Sequence, residues 1–166
     1  MESHWNSQSS FPIDQIFVVN LDTRTDRWER MTQMFSDYGI TNYQRFSAIN
    51  PSQSSHNYPS NYYSNFQLQH LPKNKQPSYL NGALGCKLSH YNIIKKAHQQ
   101  KYRCILILED DCLFTHSLTD MILLWEKSTR QLIKYSNNKW SLCYLGGKSV
   151  KTTPIEGYPN LQRAFT

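Results

Sequence analysis

No apolar run in the 166-residue chain approaches the roughly 18 residues that a membrane-spanning helix needs. The start, Met1-Glu2-Ser3-His4-Trp5-Asn6-Ser7-Gln8-Ser9-Ser10, lacks both the basic opening and the apolar stretch of a signal peptide. The chain therefore reads as soluble, cytoplasmic or viral in a host cell, and its abundance of Asn, Lys, Tyr and Ser is that of an AT-rich genome. Cys86, Cys104, Cys112 and Cys143 include no Cys-x-x-Cys pair, which argues against a zinc ribbon or a redox dithiol. Three of them lie in apolar surroundings and read as small, buried, free thiols. No internal repeat is evident, and one domain is the default for this length. Lys and Arg number 18 against 12 Asp and Glu, a net charge of +6 that favours anionic partners. The basic residues are scattered and no recognition motif accompanies them, so nucleotide phosphates are favoured over nucleic acid.

What the chain does have is a run of four apolar residues, Ile105-Leu106-Ile107-Leu108, delivered into Glu109-Asp110-Asp111. Such a run reads as a buried strand of an α/β sheet. The acids then stand at its carboxyl end, where open α/β sheets bind ligands. Three adjacent carboxylates repel one another unless a cation or hydrogen-bond donors hold them ionised, and a divalent metal carrying a phosphorylated ligand is the natural occupant. A solvated acidic turn is the bland alternative.

Ile16-Phe17-Val18-Val19 reads as a first strand and Tyr43 to Ile49 as a second. Between them Trp28, Met31, Phe35 and Tyr38 recur at helical spacing from Thr25 to Tyr38, and Gly39 is placed as a stop. Residues 50–80, rich in Ser, Asn, Gln, Pro and Tyr, read as a long mobile loop. Leu84, Leu88, Tyr91, Ile94 or Lys95, and His98 trace a helix face over residues 83–100. Leu118 to Ile133 is a third helix, and Trp140 to Leu145 a further strand ending at Gly146-Gly147. This alternation implies a mainly parallel sheet flanked by helices.

Three segments together resemble glycosyltransferase family 25, which holds collagen and lipopolysaccharide galactosyltransferases. They are Ile16-Phe17-Val18-Val19-Asn20-Leu21-Asp22-Thr23-Arg24-Thr25-Asp26-Arg27, Gly82-Ala83-Leu84-Gly85-Cys86-Lys87-Leu88-Ser89-His90, and the strand from Leu106 to Asp111. The resemblance runs over residues 16–147 and implies an α/β fold of the GT-A type. It further implies transfer of galactose or glucose from a UDP-sugar to a hydroxyl of a glycan or of a hydroxylysine-bearing, collagen-like protein, with inversion, assisted by Mn²⁺ or Mg²⁺. A truncated or non-catalytic nucleotide-sugar-binding module of the same fold is the alternative.

On this resemblance Asn20, Asp22, Arg24 and Arg27 are candidates for base, ribose and phosphate contacts. Arginine offers paired donors to phosphate, and the helix start adds backbone N–H groups. Arg24, Arg27 and Arg30 also lie three residues apart, as a solvated basic helix face would. Asp111 and Glu109 are the expected metal ligands, Glu109 also lying near the ribose, with Asp110 supporting either role or pointing away. Alternation along an extended run places Glu109 and Asp111 on one face. Gly85, Ser89, His90 and Lys148 are candidates on the donor side, and Cys86 reads as a packing residue. The resemblance gives no general base, which such enzymes supply from the carboxyl-terminal part. The expected organisation is a flexible tail over residues 1–11 and one transferase domain over 12–166, its acceptor part incomplete.

Overall fold

In the computed structural model, residues 13–53, 72–146 and 151–165 are described. Strand β1 (Gln15–Asn20) is buried from Ile16 to Asn20 because it has a neighbour on each side. The strand order is β2-β1-β3, with β2 (Tyr43–Ser47) and β3 (Ile105–Glu109) both parallel to β1. A central parallel strand has no solvent face, which is why Ile16-Phe17-Val18-Val19 carries no polar alternation. The register sets Val19 beside Glu109 and Asn20 beside Ser47, so all three strands deliver their carboxyl ends to one edge.

Helix α1 (Thr25–Asp37) covers this sheet with Met31 and Phe35, both fully buried. The Phe35 and Tyr43 rings lie 4.5 Å apart, and Trp28 meets Tyr43 edge-on. The helix ends on Gly39 at φ +61°, a conformation that costs glycine nothing. There the Gly39 amide donates to the Ser36 carbonyl and the Ile40 amide to the Phe35 carbonyl, a Schellman motif.

Helix α2 (Gln76–Gln99) begins within the stretch read as loop up to residue 80; Pro77 sits in its first turn, where a missing N–H costs nothing. Residues 54–71 of that loop lie outside the described residues, as do residues 1–12. The buried stripe of α2 shares Leu84 with the face traced by large apolar side chains and otherwise departs from it. Gly85, Ser89, Ile93 and Ala97, spaced four apart, are buried, whereas Tyr91 and Ile94 are exposed. Small residues let the helix approach closely: a Cβ on Gly85 would meet the Ile49 carbonyl oxygen and lie 3.0 Å from Pro51 Cδ. The face in contact therefore combines the apolar Leu84 and Ile93 with small residues that hydropathy alone does not mark.

Two compact units are present, Ile13–Leu113 and a second from Phe114 onward. The second holds α3 (Leu118–Ser136) and an antiparallel hairpin of β4 (Lys151–Ile155) and β5 (Tyr158–Phe165). Ser117 caps α3 by accepting from the Asp120 amide, and Asn137 closes it in the left-handed region. The Tyr135 and Tyr158 rings stack edge to face at 5.3 Å, and Gln131 accepts from the Asn160 amide. The expected strand from Trp140 to Leu145 does not form. No described strand pairs with that segment, and Leu142, Tyr144 and Leu145 are exposed. Apolar, β-prone residues make a strand only where a ladder partner accepts their backbone groups. Among the described residues the architecture is thus α/β, a three-stranded parallel sheet flanked by helices and compatible with a GT-A-like fold.

The four cysteines are free, and none is among the buried residues. Cys86 and Cys143 are exposed and Cys104 and Cys112 half-buried, so their apolar neighbours in sequence overstated their burial. Burial still pushes the Cys104 and Cys112 thiols up to about 11.

Candidate active site at the carboxyl ends of the sheet

The three acids after β3 have different fates. Asp110 turns inward: its side chain is 10% exposed, and its two carboxylate oxygens accept from Asn20 Nδ2 and Arg27 Nη1, each at 2.7 Å. Its carbonyl accepts from Arg30 Nη2, and its amide donates to the Val19 carbonyl. Asp110 therefore fastens the end of β3 to β1 and α1. Asp111 on the other side is 67% exposed, with Arg27 Nη1 4.0 Å from its carboxylate. Glu109, 51% exposed at the side chain, accepts from Cys86 Sγ at 3.4 Å and lies 3.0 Å from His90 Nε2.

Asn20 is buried, with both of its side-chain donors and its side-chain oxygen bonded within the protein. Besides its bond to Asp110, Nδ2 donates to the Arg24 carbonyl, and Oδ1 accepts from Arg45 Nε at 2.9 Å. Arg45 also reaches Asp22, 3.1 Å away, and stacks over Trp28. Asp22 accepts from Ser47 Oγ and remains exposed. Arg24 folds back on Asp26 with two hydrogen bonds of 2.9 and 2.7 Å, which raise its own pKa and lower that of Asp26 to about 2.

On α2 the successive stripes diverge. Ser89 Oγ donates to the Gly85 carbonyl and accepts from the Ile49 amide, so Gly85 and Ser89 secure the chain segment after β2. One residue further round, Cys86 and His90 face Glu109. His90 is held protonated, pushed up to about 10 by its bonds to Cys86 and then Glu109 against the opposing effect of burial. The His90 bond in turn lowers the Glu109 pKa, with Cys86 assisting. Lys148 lies outside the described residues.

The structure thus brings together Asn20, Arg27 and Asp110 as an internal clamp, gathers Glu109, His90 and Cys86 as a second group, and leaves Asp111 exposed near Arg27. Arg45 was missed in the sequence because only the register Val18↔Arg45 reveals its proximity to Asn20. Cys86 reads in the sequence as packing because an inverting transfer needs no covalent nucleophile; its spacing of four from His90 is the available signal for its place beside Glu109.

Open α/β sheets bind ligands at the carboxyl ends of their strands, the edge at which these acids and guanidinium groups stand. The family model of glycosyltransferase family 25 (LPS biosynthesis protein) matches residues 13–161, and the chain belongs to that family. It is similar to procollagen galactosyltransferase 1-A of Xenopus laevis, 29% identical over 162 residues, covering 89% of this chain and 24% of that protein. It is similar also to a glycosyltransferase 25 family member of Drosophila melanogaster, 28% identical, covering 95% of this chain and 25% of the relative. The human inactive glycosyltransferase 25 family member 3 is 28% identical over 160 residues, with 92% and 25% covered. The chain spans about a quarter of the length of these curated relatives. No solved structure matches.

Proposed function

We propose that the protein is a metal-assisted transferase that moves a hexose, galactose or glucose, from a UDP-sugar to a hydroxyl of a glycan or a collagen-like protein, with inversion. The observation that carries this reading is the split of the acids: Asp110 is enclosed by Asn20 and Arg27, while the Glu109 and Asp111 side chains are half or more exposed, Glu109 beside His90 and Asp111 with Arg27 4.0 Å away. Exposed carboxylate oxygens are hard ligands that fit Mn²⁺ or Mg²⁺, so Asp111 and Glu109 would hold the ion. Bound there, the cation would neutralise the negative charge of a diphosphate leaving group.

The protein's own groups support the same ligand. Asp110 holds β3 in register with β1 and so fixes where Glu109 and Asp111 emerge. Arg27, one third exposed, is anchored by Asp110 and lies 4.0 Å from Asp111, which supports its reading as a phosphate contact. Arg24 and Asp22 sit at the mouth of the same edge with Asp26 and Arg45 as resting partners, available to exchange for ribose or phosphate. Protonated His90 adds positive charge beside Glu109. Residues 54–71 and Lys148 enter this reading only as sequence candidates for a covering loop and a diphosphate contact.

A binding-only version of the same site is the second reading, favoured by one finding. The relative named inactive and those named galactosyltransferases match at nearly equal identity, 28% and 29%. Calorimetric titration of UDP, UDP-galactose and UDP-glucose, with and without Mn²⁺, tests both. Metal-dependent binding lost in Asp111→Ala, with an unchanged melting curve, supports the donor site; absence of binding to the intact chain overturns it. Binding of UDP-sugar without turnover on collagen-like peptide or glycan acceptors selects the second reading.

A further inference from the structure

We propose that Cys86 Sγ, His90 Nε2 and Glu109 Oε1 form a binding site for one divalent cation of zinc type, with ligand chemistry different from the all-oxygen pair Glu109 and Asp111. Among the described residues these make up the one group of three or more His, Cys, Asp or Glu side chains placed to hold a metal, their ligand atoms all within 4.8 Å of one another. Two of the three pairs, 3.4 Å from Sγ to Oε1 and 3.0 Å from Nε2 to Oε1, are close to those a tetrahedral ion requires, and the third lies within 4.8 Å. Bonds of about 2.0 to 2.3 Å put neighbouring ligand atoms roughly 3.3 to 3.8 Å apart.

The scaffold suits the task. Cys86 and His90 are four residues apart on α2 and so project from adjacent turns on one face, the spacing by which helical zinc sites present two ligands. Glu109 comes from the end of β3, fastened next door by the internal bonds of Asp110. Gly85 and Ser89, flanking the two helix ligands, seat this part of α2 on the Ile49 segment. All three ligands are reachable from solvent. Sulfur and imidazole select a softer ion than Mn²⁺ or Mg²⁺. Binding replaces the protons of the Cys86 thiol and the His90 imidazolium, which pass to solvent. Thiolate and carboxylate then balance the charge of the ion, and its fourth position stays open to water or to an anionic oxygen.

The inference does not depend on sugar transfer, and cobalt serves as its probe. Co²⁺ titrated into the full chain should bind one to one and give the near-ultraviolet charge-transfer absorption of a thiolate-bound ion. Zn²⁺ should displace it. The band should vanish in Cys86→Ser, weaken at least tenfold in affinity in His90→Ala, and persist in Cys143→Ser. A band that survives Cys86→Ser, or no band at saturating Co²⁺, overturns the site. A second measurement needs no variant: Zn²⁺ should slow alkylation of Cys86 in the intact protein, read by peptide mapping, and an unchanged rate refutes the proposal. Loss of UDP binding alongside an intact cobalt band would refute the sugar-donor reading and leave this one standing.

Discussion

Asp110 and Asp111 are neighbours in sequence and chemically identical, yet one is enclosed by Asn20 and Arg27 and the other stands in solvent. The same division runs through α2, where Gly85 and Ser89 hold the Ile49 segment while Cys86 and His90 face Glu109. In each pair of stripes one set of side chains builds the platform and the adjacent set is left available. Position in a motif therefore does not assign a role; the direction of the Cα–Cβ bond does.

The sharpest way to break this comparison is to exchange the two aspartates for alanine. Asp110→Ala leaves buried Asn20 without its acceptor and Arg27 without its partner. It should lower stability by about 3 kcal/mol, the low end for a broken buried pair because Arg27 is one third exposed. Asp111→Ala, at a surface position, should change it by less than about 0.5 kcal/mol. Chemical denaturation of both variants measures the contrast, and equal losses would erase it.

A smaller effect is expected on α2. Gly85→Ala places a methyl group against the Ile49 carbonyl and should cost about 2 kcal/mol, as overpacking does. Gly82→Ala, where a Cβ would meet nothing within 4 Å, should be neutral or slightly stabilising in thermal melts.

The smallest effect concerns the exposed pair Arg24–Asp26. The folded-state pKa of Asp26 is depressed from 3.8 to about 2, so its contribution is present above the unfolded value and is lost as pH falls through that interval. Asp26→Asn should remove this slight acid dependence. Urea midpoints of the two proteins, compared across the interval, should differ little because the pair is fully solvated; a large difference would show that Arg24 is committed to Asp26 rather than available to a ligand.

Much of the first unit was legible. Met31 and Phe35 at helical spacing, the Gly39 stop and the two apolar runs of β1 and β3 each have one stable solution, burial on one sheet. Where large apolar residues misled, as with Tyr91 and Ile94 on α2 or Leu142 to Leu145, the deciding factor was a partner distant in sequence. The loop assigned up to residue 80 gave way at Gln76 because polar composition does not prevent a helix once Pro77 has opened it. The hairpin of β4 and β5 carried no recognised signal, although Gly157 at φ +77° marks its turn.

The sequence by itself determined the parallel α/β framework and the placement of three acids at the end of a buried strand. Periodicity and apolar runs are local properties, and burial acts on them directly. Only the tertiary structure decided that Asp110 is internal, that Arg45 supports Asn20, and that Cys86, His90 and Glu109 converge. Those contacts join residues 19 to 90 positions apart, and the strand register and the close approach allowed by Gly85 set their geometry.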